Sequence, residues 1–271
     1  MTADVPGAGA TAFDDGSRSF LVGLSQTLRR KKFPLRRWLA RRRWPNRTLP
    51  WWLWCHLCAF DSMAVTWVVA IRAGRPLTFV QIGSNDGVVF DPLHEAVKAF
   101  NWSGVLVEPV PDVFGRLQAN YHGVPDLAFE NVAIGEQDGE AILYSVTPGP
   151  DDPYWTNQIA SFDKAVILSH RDTITALEDR VEELRVPTLT LNTLVSRHQL
   201  TALDFLHIDV EGFDQEIIKQ IDFRAGWAPR FIIFERQHMS RKTHRQVRRL
   251  LRGAGYRLVN IWPDELAYRR R

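Results

Sequence analysis

From Leu77 onward the chain alternates short β-rich apolar runs with helix-like stretches, and this alternation narrows its fold more than any other feature. Thr78-Phe79-Val80-Gln81-Ile82 ends in the turn Gly83-Ser84-Asn85-Asp86-Gly87, and a helix-like segment follows to about Phe100. Val105-Leu106-Val107-Glu108 is a second buried run, capped by Pro109 and a helix through Tyr121, and Leu127 to Ile134 reads as a third strand ending in Gly135. Further on, Leu203 to Gly212 is a buried run that gathers acids at its C-terminal end and leads into a helix, Phe213 to Ile221. Alternating strands and helices of this kind predict an α/β protein with a doubly wound parallel sheet, in which the 203–212 strand lies beside the first.

Folds of this class bind ligands at the C-terminal ends of their strands. Gly83, Ser84, Asp86 and Gly87 therefore face the predicted site. The glycines let backbone approach a ligand, and the loop exposes N–H groups at the start of a helix. Glu108 ends the second strand, where a carboxylate accepts hydrogen bonds from both hydroxyls of a ribose. The loop lacks the Gly-x-Gly-x-x-Gly spacing of a pyrophosphate cradle, which argues against an NAD-dependent oxidoreductase. Asp86 suits a ligand with an ammonium or sulfonium tail, so the expected cofactor is S-adenosylmethionine.

Charge divides the chain elsewhere. It has 271 residues, 34 Lys plus Arg, 31 Asp plus Glu and a net charge of +3. Ten of the basic residues lie between Arg29 and Arg47, a stretch with no acid; without them 24 basic face 31 acidic residues, a net of −7. Six of the ten tryptophans fall between Trp38 and Trp67. The expected organisation is a flexible tail over 1–18, a basic, Trp-rich helical extension over 19–75 and a catalytic domain over 76–271. The 29–47 run supports two readings of equal weight, a solvated basic helix or a membrane-surface element, with nucleic acid the least favoured partner.

Trp51 to Ile71 has the length of a membrane span, but Asp61 sits within it and costs about 3 kcal/mol at a bilayer centre. A helix buried against the following domain is expected, then interfacial contact, then spanning. The Cys55-x-x-Cys58 pair lacks the second pair of a structural zinc site and reads as two buried thiols. Near Met1, acidic Asp4, Asp14 and Asp15 oppose a secretory signal, so a cytoplasmic location is expected, with peripheral membrane contact through 29–71 as the alternative.

Six blocks, in order, resemble the FkbM-type family of S-adenosylmethionine-dependent methyltransferases over roughly residues 76–262. They are Phe79 to Gly87, Val107-Glu108-Pro109, Asn131-Val132-Ala133-Ile134-Gly135, the Thr-Leu segment at 188–194, Ile208-Asp209-Val210-Glu211-Gly212 and Ile233-Phe234-Glu235. The resemblance implies a class I methyltransferase fold, Rossmann-like, with a seven-stranded sheet and a reversed terminal strand. Phe231–Phe234 would be its fifth strand, Thr243–Leu251 a crossover helix, and Tyr256–Trp262 with Leu266–Arg269 a terminal hairpin. It also implies cofactor contacts at Val132 and Ala133. Many members carry Asp where Gln81 stands, and Asp86 is expected to supply the nearby negative charge.

Methyl transfer to an alcohol requires loss of the hydroxyl proton, which a nearby acid or imidazole assists. Asp209 is the expected base or acceptor orienter, with Glu211 assisting and His238 as partner; His207 and Glu235 are further candidates. An Asp/Glu cluster can also hold a divalent ion that acidifies a hydroxyl; only Asp209 and Glu211 lie close in sequence, so this is the minority reading and no metal ligand is assigned. Thr147 to Asp163 is a Pro-rich insertion read equally as a substrate lid or a surface loop, and the stretch after it, to about Leu184, as a helix with a solvated acidic face. The expected reaction is O-methylation of a glycan, glycolipid or secondary metabolite. A non-catalytic scaffold that associates with membrane or RNA is the competing reading.

Overall fold

The structure is a computed structural model and describes residues 62–269, apart from Tyr154 and Trp262. The 1–18 tail, the 29–47 basic run and the Cys55–Cys58 pair lie outside the described residues, as does the 51–61 part of the apolar segment.

The remainder of that segment is helix α1, Ser62–Ala73, which buries Val65, Thr66, Trp67, Val69 and Ala70. Its apolar side chains belong to the same core as the central sheet, and Trp67 meets Phe100 edge to face at 5.3 Å. Among the described residues, no helix is long and apolar enough to cross a membrane.

The central sheet is built from β1 (Thr78–Ile82), β2 (Ser103–Val107), β3 (Leu127–Glu130), β8 (Phe205–Ile208), β9 (Phe231–Glu235), β10 (Arg257–Ile261) and β11 (Asp264–Tyr268). Their order is β10-β11-β9-β8-β1-β2-β3. β1 pairs in parallel with both β2 and β8, and β8 with β9, whereas β11 runs antiparallel to β9 and β10. This is the class I methyltransferase sheet with its reversed terminal strand, and the 203–212 strand does lie beside the first.

Successive strand residues point to opposite faces, and each face has its own core. Phe79, Leu106, Phe205 and Ile233 pack with α1, with α2 (His94–Phe100) and with α3 (Pro111–Asn120). Val80, Val107, Ile208 and Ile232 pack with α5 (Leu191–Arg197), α6 (Asp214–Lys219) and α7 (Arg241–Gly253). A fully buried Leu, Ile or Phe contributes about 2 kcal/mol, and the double-sided burial explains why these strands read as apolar runs rather than alternations.

Two expectations are corrected. Residues 127–134 do not form one strand: the chain leaves the central sheet after Glu130, and β4 (Ala133–Ile134) joins a second sheet. That sheet has the order β4-β7-β5-β6, with β5 Gly139–Val146, β6 Ala160–Ser161 and β7 Val181–Leu189. The acidic stretch is likewise not one helix. After α4 (Lys164–Leu168) and a 3₁₀ turn at Leu177–Arg180, Glu182 and Glu183 stand on β7, opposite Ser145 and Tyr144 of β5. Long-range strand pairing has overridden local helical spacing there.

Candidate active site

The C-terminal ends of β1, β2, β8 and β9 share one edge of the sheet, and antiparallel β11 begins there, with Asp264 opposite Glu235. The site divides along this edge into two halves.

The first half follows β1 and β2. Gly83 N–H and Ser84 N–H both donate to the Val107 carbonyl, at 3.1 and 3.0 Å. The buried Ser84 hydroxyl donates to Gln81 O at 3.0 Å and accepts from Val107 N–H at 3.1 Å, so it fastens the two strand ends together. Gly83 has φ +76°, and a Cβ there would fall 1.8 Å from the Asp209 carbonyl oxygen; at Gly87, φ +72°, it would fall 2.6 Å from Leu117 and Tyr121. Both glycines are therefore demanded by packing within the protein. Asp86 Oδ1 accepts the N–H groups of Val88 and Val89, each at 2.9 Å.

Glu108 Oε2 accepts from Asn85 N–H at 2.9 Å and Oε1 from Val110 N–H at 3.0 Å. Burial outweighs these bonds and pushes the Glu108 carboxyl up to about 7. The Asn131 amide donates to the carbonyls of Glu108 and Pro109 at 2.8 and 3.1 Å, and the buried pair Val132 and Ala133 follows as the chain crosses to the second sheet. Gln81 points to Asp91 rather than Asp86: its Nε2 donates to Asp91 Oδ1 at 3.0 Å, and its buried Oε1 has no partner. Leu93 N–H and the Tyr121 hydroxyl complete the hold on Asp91, whose carboxyl burial raises to about 6.

The second half is a crowd of acids. Asp209, Glu211 and Glu235 bring carboxylate oxygens within 4.8 Å of one another. Asp209 is set deep among protein atoms, yet its own surface stays open to solvent. Burial, and then the neighbouring carboxylates of Glu211, Asp264 and Asp214, hold it well above the usual carboxylate range. Glu235 is raised for the same reasons, burial first and Asp209 second. Asp214, almost fully buried, accepts Glu235 N–H at 3.1 Å and is pushed by burial to about 8.

Glu211 and Gly212 both take left-handed backbone, φ +49° and +101°, a conformation uncommon for a glutamate and concentrated at functional loops. His238 Nε2 stands 2.9 Å from Glu211 Oε2, and this contact raises its imidazole against the lowering effect of burial. The insertion reaches the same place: Ser161 Oγ donates to Glu211 O at 2.7 Å, Phe162 meets Phe213 edge to face at 5.0 Å, and the His170 ring lies 6.3 Å from that of His238.

The Methyltransferase FkbM domain profile matches residues 81–258, about two thirds of the chain. The chain belongs to the FkbM methyltransferase family. It is thus an S-adenosylmethionine-dependent methyltransferase. Several solved structures are similar to the chain. The FkbM methyltransferase of Methylobacillus flagellatus KT is 12% identical, with a TM-score of 0.42, covering 88% of this chain and 59% of that one. The precorrin-6y C5,15-methyltransferase of Geobacter metallireducens GS-15 is 13% identical, with a TM-score of 0.39 and coverage of 76% and 87%. The ribosomal protein L11 methylase of Lactobacillus delbrueckii subsp. bulgaricus is 11% identical, with a TM-score of 0.39 and coverage of 77% and 79%. No curated protein matches the chain.

In this FkbM domain Asp209, Glu211 and His238 stand together, and Gly83, Ser84, Asp86, Gly87 and Glu108 stand together beside them. His207 is separate: it is buried within β8, and burial lowers its imidazole to about 4, so it is neutral. Sequence reasoning missed His170, Asp214 and Asp264. His170 is 41 positions from Glu211 and carries no local motif; only the fold of the insertion brings it there.

Proposed function

We propose that this enzyme methylates a hydroxyl group of a glycan, glycolipid or secondary metabolite, with S-adenosylmethionine bound between the Gly83–Gly87 loop and Glu108. The supporting observation is the adjacency of the two halves: the backbone of Gly83 presses on Asp209, so a cofactor held by the first half meets the acid cluster of the second.

The Glu108 donor set fits a ribose. Asn85 and Val110 each occupy one lone-pair direction on a different oxygen, which leaves each oxygen one acceptor position for a vicinal hydroxyl. When bound, S-adenosylmethionine supplies an electrophilic methyl group on a sulfonium. Asp209 takes the acceptor's hydroxyl proton on a carboxylate oxygen; its raised proton affinity makes it a stronger base than an ordinary aspartate. Glu211 stands between Asp209 and His238 and orients that group of side chains. Phe162, packed on Phe213, and Trp155, packed on His170, adjoin the acid cluster and support an acceptor with an apolar ring face. The basic, Trp-rich stretch within 29–71 supports a lipid-linked acceptor met from the cytoplasmic side at an anionic membrane surface.

Calorimetry with S-adenosylmethionine tests the cofactor assignment. Glu108→Ala removes two charge-assisted acceptor positions and should weaken binding about 100-fold. Equal affinity in the two proteins would refute the assignment of Glu108. Mass spectrometry of candidate acceptors, scored for a gain of one CH₂, tests the substrate class; methylation confined to amine acceptors would refute hydroxyl specificity.

A further inference from the structure

The side chains around Glu211 are linked by ion-pair contacts through His238 but leave hydrogen-bonding positions unfilled. His170 Nε2 is buried without a hydrogen-bond partner, and Glu235 Oε2, also without one, has His238 Nε2 at 3.9 Å. His238 Nε2 stands 2.9 Å from Glu211 Oε2 but lacks the alignment of a hydrogen bond. Ligand atoms of His170, Glu211 and His238 nevertheless all lie within 4.8 Å of one another. Buried polar atoms in folded proteins almost always find partners, so two imidazole nitrogens without hydrogen bonds gathered at one carboxylate call for a missing one.

We infer that His170, Glu211 and His238 bind a divalent cation of the zinc type, with the carboxylates of Asp209 and Glu235 beside it. Two imidazoles and one carboxylate favour zinc, cobalt or iron over magnesium or calcium, which take oxygen ligands. The three ligands come from three separate segments: the connection after α4, the β8–α6 loop and the β9–α7 loop. Each is held in place. Ser161 donates to the Glu211 carbonyl at 2.7 Å, Trp155 packs on His170 with ring centroids 5.3 Å apart, and Gly212 leaves only 3.4 Å between an added Cβ and His238 Cβ. A dication also offsets the repulsion among Asp209, Glu211 and Glu235, whose oxygens crowd within 4.8 Å.

This inference rests on the proposed reaction only for its purpose. A cation with an open position would bind the acceptor hydroxyl oxygen and make its proton more acidic. The proton would pass to the Asp209 carboxylate, which becomes the neutral acid.

The test is direct metal binding by the full-length protein after chelator treatment, with Cys55→Ser and Cys58→Ser so that thiolates cannot contribute. Calorimetric titration with Zn²⁺ should give about one equivalent, and Co²⁺ should give visible absorption without a thiolate charge-transfer band. His170→Ala and Glu211→Gln should each weaken Zn²⁺ binding about tenfold or more, with far-ultraviolet circular dichroism unchanged. No binding in the double-serine protein, unchanged affinity in both ligand variants, or tighter binding of Mg²⁺ than of Zn²⁺ would overturn the inference. None of these results depends on methyl transfer, and loss of S-adenosylmethionine binding would leave this measurement standing.

Discussion

The two halves of the strand-end edge are built on opposite principles. Around Glu108 the polar groups are paired, Gln81 Oε1 excepted, and the partners are near in sequence or on the adjacent strand: Ser84 with Val107, Asn85 with Glu108, Asn131 with the Glu108 carbonyl. Around Glu211 the groups come from distant segments, carry like charge, and include buried atoms without partners. The paired half is fastened by hydrogen bonds between neighbouring strand ends. The crowded half holds unfavourable electrostatics that a proton, a cation or a substrate would relieve, as is common where a protein must do chemistry.

The halves meet at Gly83, and the severest way to break the comparison is to push them apart there. Gly83→Ala puts a methyl group 1.8 Å from the Asp209 carbonyl at φ +76°. The clash and the left-handed backbone together should cost about 4 kcal/mol, read as a fall in the denaturant midpoint, with loss of S-adenosylmethionine binding in whatever remains folded. Unaltered stability would mean that the two loops move independently.

A change confined to the crowded half should leave the other intact. Asp209→Asn should lower kcat about 10³-fold while the dissociation constant for S-adenosylmethionine stays within about twofold. The sign of the pH effect follows from the raised proton affinity of Asp209. Its carboxylate is protonated at low pH and becomes a base only as pH rises, so the native rate should climb with pH on a limb that Asp209→Asn lacks. A large loss of cofactor affinity in this variant would place Asp209 on the cofactor side instead.

The same division governs what the sequence disclosed. The paired half was legible because its parts are contiguous: a buried run, a glycine turn and an acid at the end of the next run identify strand ends with nothing beyond local pattern. Asp209 and Glu211 were found the same way, at the end of β8. Glu235 and His238 were also candidates, at and just after the fifth strand, whereas His170 depends on pairings that no local pattern encodes. Residues 127–134 read as one strand because six of the eight residues are apolar, although the chain switches sheets after Glu130, at the polar pair Glu130-Asn131. Glu178, Asp179, Glu182 and Glu183 have helical spacing, yet the last two are held on a strand by β5. His170 reaches Glu211 only because β5, β6 and α4 fold the insertion over the β8 loop.

The smallest effect sharpens the comparison most, because it asks whether Glu108 really is a receptor for hydroxyl donors. In the free protein burial holds its carboxyl at about 7, so near neutral pH it is a mixture of acid and carboxylate. Two ribose hydroxyls donate only to the ionised form, so bound cofactor should lower this value. Binding must then release a proton below the free value, and affinity must rise with pH up to about 7 and level off above it. Between pH 6 and 8 the dissociation constant should fall about tenfold, with less than one proton released per cofactor at pH 8, read from calorimetry in buffers of different ionisation enthalpy. Glu108→Gln keeps an acceptor oxygen but cannot titrate, and should flatten this limb. Should the slope persist in that variant, its source would lie among the other raised carboxyls, Asp91 at about 6 first among them, and the paired half would be tuned by the packing behind the loop rather than by the acid at its mouth.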